Sequence, residues 1–145
     1  MPTSFDPPCV EISSVSNLKF EEFGRKVIIE NPDKVEHLRV KIDGCVIKNG
    51  ERADWLVSRP GFASVIIELK GRDVTHALEQ VEATLAHCKA GGHFEGRVGA
   101  LIMCKQVPRA LTSAQRATDR FRKSYGSTLT ISSSRYQFQI DDLVA

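Results

Sequence analysis

The run Val65-Ile66-Ile67-Glu68-Leu69-Lys70-Gly71 has the apolar density of a buried strand, yet it sets two charges near its end. Side chains alternate faces along a strand, so Glu68 and Lys70 point the same way as Ile66, while Ile67 and Leu69 point the other. Burying a carboxylate and an ammonium is costly unless each meets a partner or a metal. Upstream, Ala53-Asp54-Trp55-Leu56-Val57 reads as a second short strand with one acid among apolar residues. Asp54 and Glu68 are therefore candidates for one site.

The rest of the chain supplies a frame for these two strands. Pro2, Pro7 and Pro8 predict an irregular arm over residues 1–12, and residues 15–23 are read as a short helix presenting Leu18 and Phe23. Val27-Ile28-Ile29 predicts a strand that stops at Asn31-Pro32. Leu38, Val40 and Ile42 alternate with Arg39, Lys41 and Asp43, a strand with one polar face, which Cys45-Val46-Ile47 is expected to continue. Asp43, on that polar face, is expected to meet solvent. Together with the strands at 53–57 and 64–69, these make an antiparallel meander.

Asp73 is placed to cap a helix in which Val74, Ala77, Leu78, Val81, Leu85 and Cys88 recur at helical spacing up to Gly91-Gly92. Residues 98–104 are apolar almost throughout and suit a central strand covered on both faces. Thr112 or Ser113 opens a second helix that ends near Tyr125 before Gly126, and residues 128–131 and 136–140 give late strands. The order predicts a single α/β domain over 1–145: a mixed central β-sheet flanked by α-helices.

The pair of strands resembles the PD-(D/E)xK nuclease superfamily, whose site is an Asp followed on a neighbouring strand by Glu or Asp, any residue, and Lys. Here these are Asp54 and Glu68-Leu69-Lys70, with Ala53 where the pattern has proline. Gln80 stands where many such nucleases place a polar residue on the following helix. The matching residues run from about Arg39 to Leu85, about a third of the chain. The resemblance implies a restriction-endonuclease-like fold and a metal-dependent nuclease, DNA ahead of RNA as substrate, with Mg²⁺ or Mn²⁺ as cofactor. It makes Asp54, Glu68, Lys70 and Gln80 catalytic, and Asp54, Glu68 and the Leu69 carbonyl metal ligands. An additional acid from an early helix is also typical, and Glu22 is the first choice among Glu21, Glu22, Glu30 and Glu36.

Two carboxylates suit Mg²⁺, which takes oxygen ligands and keeps several waters. Read alone, Glu68 and Lys70 would be an ordinary cross-strand salt bridge. The alternative function is a non-catalytic nuclease-fold module that binds nucleic acid or another protein. On the second helix, Arg116, Arg120 and Lys123 fall at i, i+4 and i+7, a basic stripe able to follow a phosphate backbone, although such stripes are commonly just solvated.

Composition bounds the remaining classes. Hydrophobic residues make up 41% and charged residues 26%, the balance of a folded globular domain. No run approaches the roughly 18 apolar residues of a membrane span, so no membrane partner is expected. Cys9, Cys45, Cys88 and Cys104 are widely spaced and are read as free thiols, and with no apolar leader the expected location is cytoplasmic. The histidines show no zinc-binding spacing, the glycines no phosphate-binding loop, and no Gly-x-Ser-x-Gly elbow occurs. A net charge of +2 identifies no partner by itself. So small a core leaves a homodimer or a partner protein as the expected source of specificity.

Overall fold

The computed structural model describes residues 2–22, 24–71, 74–105 and 111–145, with the backbone alone for 70–71 and 111–114. Its strands are β1 (Val10–Ser13), β2 (Asn17–Glu22), β3 (Arg25–Glu30), β4 (His37–Lys41), β5 (Trp55–Arg59), β6 (Ala63–Gly71), β7 (Arg97–Cys104), β8 (Thr128–Ser132) and β9 (Gln137–Gln139). Its helices are α1 (Val74–Ala90), α2 (Leu111–Tyr125) and the short α3 (Ile140–Leu143). Six strands form a mixed sheet in the order β1-β4-β5-β6-β7-β8, and β2-β3-β9 form a second, three-stranded sheet. The meander is present as β4-β5-β6, antiparallel throughout, while β6, β7 and β8 run parallel.

Parallel neighbours need crossovers, and α1 and α2 supply them. Both helices pack on one face of the large sheet, where Ala77, Val81, Leu85, Ala117 and Phe121 meet Val40, Leu56, Ile66, Ala100 and Ile102. The sequence reading expected a mixed sheet flanked by helices; the opposite face is covered by α3 together with the small sheet, which that reading did not foresee. There Leu18, Phe20, Val27, Ile29, Phe138 and Leu143 close on Val57, Val65, Ile67, Leu69 and Leu101. Strands β6 and β7 are thus buried on both faces, as their unbroken apolar runs require.

Local chemistry explains the element ends. Helix α1 stops in a Schellman motif: Gly92 takes a φ of +67°, its N–H donates to the Lys89 carbonyl, and the His93 N–H donates to the Cys88 carbonyl. Gly99 in β7 meets a different demand, because a Cβ there would run into the Leu143 carbonyl of α3. The Asp73 cap lies outside the described residues.

Four local expectations are corrected. Residues 17–22 are strand, not helix, since Leu18 and Phe20 are buried and Lys19 and Glu21 exposed, a period of two. The predicted irregular arm ends early: Pro7–Cys9 form a single 3₁₀ turn and β1 pairs antiparallel with β4. Residues 45–47 do not extend β4. Instead the Cys45 N–H donates to the Ile42 carbonyl and the Gly44 N–H to the Ile47 carbonyl, folding this stretch into a turn. Finally, Cys9 and Cys45 are not free thiols but a disulfide, with Cα atoms 5.6 Å apart, which ties the arm to that turn. Among the described residues Cys88 and Cys104 lie outside this disulfide, and both are buried. Cysteine usage therefore no longer argues for a reducing compartment. No helix among the described residues is long and apolar enough to cross a membrane.

Candidate metal centre

Asp54 lies just ahead of β5 and Glu68 near the end of β6. The β5–β6 register pairs Trp55 with Ile67, and one further step sets Asp54 opposite Glu68. Directly opposed residues of an antiparallel pair hold their Cβ atoms about 5 Å apart. Asp54 shares its face with Leu56, and Glu68 with Ile66, so both carboxylates enter the layer beneath α1. Their exposures are 1% and 0%. Two of the residues singled out in the sequence are thus brought together in a dry place.

The end of β6 is irregular where the chemistry is expected. Glu68 pairs with Ile102 and Gly71 with Cys104, so β6 spends one more residue than β7 over this stretch. Such bulges re-aim side chains, and they recur beside active sites. Within the bulge the Leu69 N–H donates to Asp54 Oδ2 at 2.8 Å. The Leu69 side chain points into the opposite core, which leaves its backbone as the part that faces Asp54. Lys70 continues the same strand; its side chain lies outside the described residues.

Helix α1 braces the site from above. Thr84 Oγ1 accepts the Ala53 N–H at 2.7 Å and donates to the Gln80 carbonyl at 2.9 Å. Gln80 is half-buried one turn nearer the helix start, the end at which β6 finishes. Thr84 was not singled out in the sequence; its position next to Asp54 depends on how α1 crosses the sheet.

The other candidates are dispersed. Glu22 ends β2 and pairs with Lys41 at 2.7 Å. Asp43, expected in solvent, pairs with Arg52 at 2.6 Å and is only 27% exposed in its side chain. In the α2 stripe, Arg120 is engaged by Glu82 of α1, which also accepts from the Tyr125 hydroxyl. Arg116 and Lys123 stand exposed on the outer side of α2, away from Ala117 and Phe121.

A second gathering of cation donors was not foreseen. Glu51, His76 and Glu79 bring one ligand atom each to within 4.8 Å of one another, on the surface where the loop before β5 meets the first turns of α1. Their side chains are about half exposed or more, and His76 stands between the two carboxylates, 3.7 Å from Glu51 and 3.9 Å from Glu79. The sequence offered no signal for it, because Glu51 and His76 meet only through the fold. Compared with known families, curated proteins and solved structures, the chain matches none of them.

Proposed function

We propose that the chain is a metal-dependent nuclease of the PD-(D/E)xK type, with a restriction-endonuclease-like core, that hydrolyses phosphodiester bonds, DNA being the first substrate to try. The observation that carries this reading is the burial of Asp54 and Glu68 side by side at the bulged end of β6. Two carboxylates set side by side in one dry place are the donor set that a bound cation would compensate. An all-oxygen donor set fits Mg²⁺ or Mn²⁺ better than zinc.

When bound, such an ion polarises the scissile phosphate and lowers the pKa of a coordinated water. Asp54 and Glu68 would hold it, with the Leu69 carbonyl as a further donor. Lys70 is assigned the stabilisation of negative charge developing on the phosphate. Gln80 would orient the attacking water, and Arg116 and Lys123 would contact the backbone of the bound strand; Arg120 is the weaker contact because Glu82 already engages it.

The test is cleavage of plasmid, linear, single-stranded and branched DNA and of RNA, in Mg²⁺ or Mn²⁺ against EDTA, for wild type and Glu68→Ala. The expected result is metal-dependent cutting that the variant loses by on the order of 10²- to 10³-fold or more. Thermal stabilisation by Mn²⁺ alone, present in wild type and absent in Glu68→Ala, gives a readout independent of turnover. A Glu68→Ala protein that cuts as well as wild type would overturn the assignment. Metal binding without cutting on any substrate would instead favour a non-catalytic module of the same fold.

A further inference from the structure

A pocket of about 160 Å³ opens at the end of β7, lined by Arg25, Lys26, Met103, Cys104, Ser133, Ser134 and Tyr136. Its floor is the last two residues of β7, and Cys104 pairs with Gly71, the end of the bulged segment that begins at Glu68. Within the sheet, one strand spacing across and three residues along separate the backbone of this floor from that of Glu68, on the order of 10 Å, while the pocket opens on the small-sheet face and the Glu68 carboxylate on the α1 face. Ligands of α/β proteins gather at the carboxyl ends of parallel strands, and this pocket shares that end of the sheet with Asp54 and Glu68.

The lining chemistry is that of an anion site. Arg25 and Lys26 begin β3 at the β2–β3 hairpin, and Ser133 and Ser134 line the pocket from the loop after β8. The acids of the hairpin are directed elsewhere: Glu22 pairs with Lys41, and Glu21 with Lys19 at 2.9 Å. Lys26 lies across the hairpin from Glu21, whose carboxyl is held below its ordinary value first by Lys19 and only lastly by Lys26. Lys26 also sits over the Tyr136 ring, 4.9 Å from its centroid, and no ion pair among the described residues engages Arg25. The volume admits a phosphate group and is well short of a drug-sized site.

We infer that this pocket, at the end of β7, receives a phosphodiester group of the nucleic-acid strand cut at Asp54 and Glu68, a strand that rounds the carboxyl end of the sheet from the α1 face to the small-sheet face. The inference rests on the nuclease reading and gives it a substrate register. Arg25 and Lys26 supply the charge, and Ser133 and Ser134 the neutral donors.

The test is fluorescence-anisotropy binding of labelled single-stranded and duplex oligonucleotides to the full chain in EDTA, across a range of salt, with cleavage in Mg²⁺ measured in parallel. Arg25→Ala/Lys26→Ala should weaken binding roughly tenfold or more and flatten the log-affinity against log-salt slope by about 1.5 to 2. Lys26→Glu alone, at an exposed position, should weaken binding in the same direction while circular dichroism stays unchanged. Lys89→Ala, at the far end of α1, should leave both unchanged. Unaltered affinity and slope in the double variant, with a wild type that binds and cuts, would overturn the subsite and leave the nuclease reading standing. A wild type that neither binds nor cuts would overturn both.

Discussion

The Thr84 hydroxyl joins α1 to the residue preceding Asp54, accepting from the Ala53 N–H and donating to the Gln80 carbonyl. Thr84→Val keeps the shape and leaves that buried N–H without its acceptor, which costs about 1–3 kcal/mol. Urea unfolding should show the loss, and Mn²⁺ affinity should fall with it if the bond positions Asp54. His37 makes a different prediction. It is buried, its Nδ1–H donates to the Val35 carbonyl, and burial, aided by Arg59, holds its pKa below the ordinary 6.5. The unfolded chain therefore takes up a proton that the native state resists. This contribution to stability is whole above about pH 6.5 and is lost as pH falls through the folded value. His37→Gln should flatten the fall in melting temperature between neutral and mildly acidic pH; an unchanged slope would exclude His37 as its source. At this scale Asp54 and Glu68 were legible because charge inside an apolar strand is conspicuous. Thr84, Glu51 and His76 were not, because each gains its role from a residue distant in the chain.

Strand β7 approaches α3 closely, where Gly99 lies under the carbonyl that ends α3. Gly99→Ala must push α3 away or bend β7, at a cost of roughly 3 kcal/mol. Thermal unfolding should register this, and a neutral Gly99→Ala would mean that α3 docks loosely. The parallel strands and α1 were readable from pattern alone, since a long apolar run and a 3.6-residue period leave few options. What pattern could not give was the partner of each face. Leu18 and Phe20 do alternate with Lys19 and Glu21, the signature of a strand, but a reading centred on Leu18 and Phe23 made the segment helical and so hid the second sheet. The bulge at Glu68–Gly71 was equally invisible, because it is a mismatch in count between β6 and a strand some thirty residues on.

The two cores lie on opposite faces of the six-stranded sheet, and the Cys9–Cys45 bridge adds a constraint that neither core provides. It links the start of the chain to the turn that leads into Asp54, across 36 residues of sequence. Spacing cannot reveal such a pairing, since four cysteines allow three connectivities and the fold must choose. Closing a loop of that length restricts the unfolded chain by about 4 kcal/mol in the entropic account. Reduction, or Cys9→Ser, should lower the melting temperature by on the order of 10 °C. The bridge itself is checked by thiol counting in denaturant without reductant, where Cys88 and Cys104 alone should react. In the native state Cys88 should stay silent, because burial pushes its thiol pKa up to about 12 and leaves almost no thiolate at neutral pH. Four reactive thiols in denaturant would remove the bridge and restore the simpler expectation of a fully reduced chain. If the bridge is present, the turn before Asp54 is held from both ends, by Cys45 on one side and by the Ala53–Thr84 bond on the other. Reduction should then weaken Mn²⁺ binding even at temperatures where the fold remains intact, and an affinity unchanged by reductant would confine the bridge to stability alone.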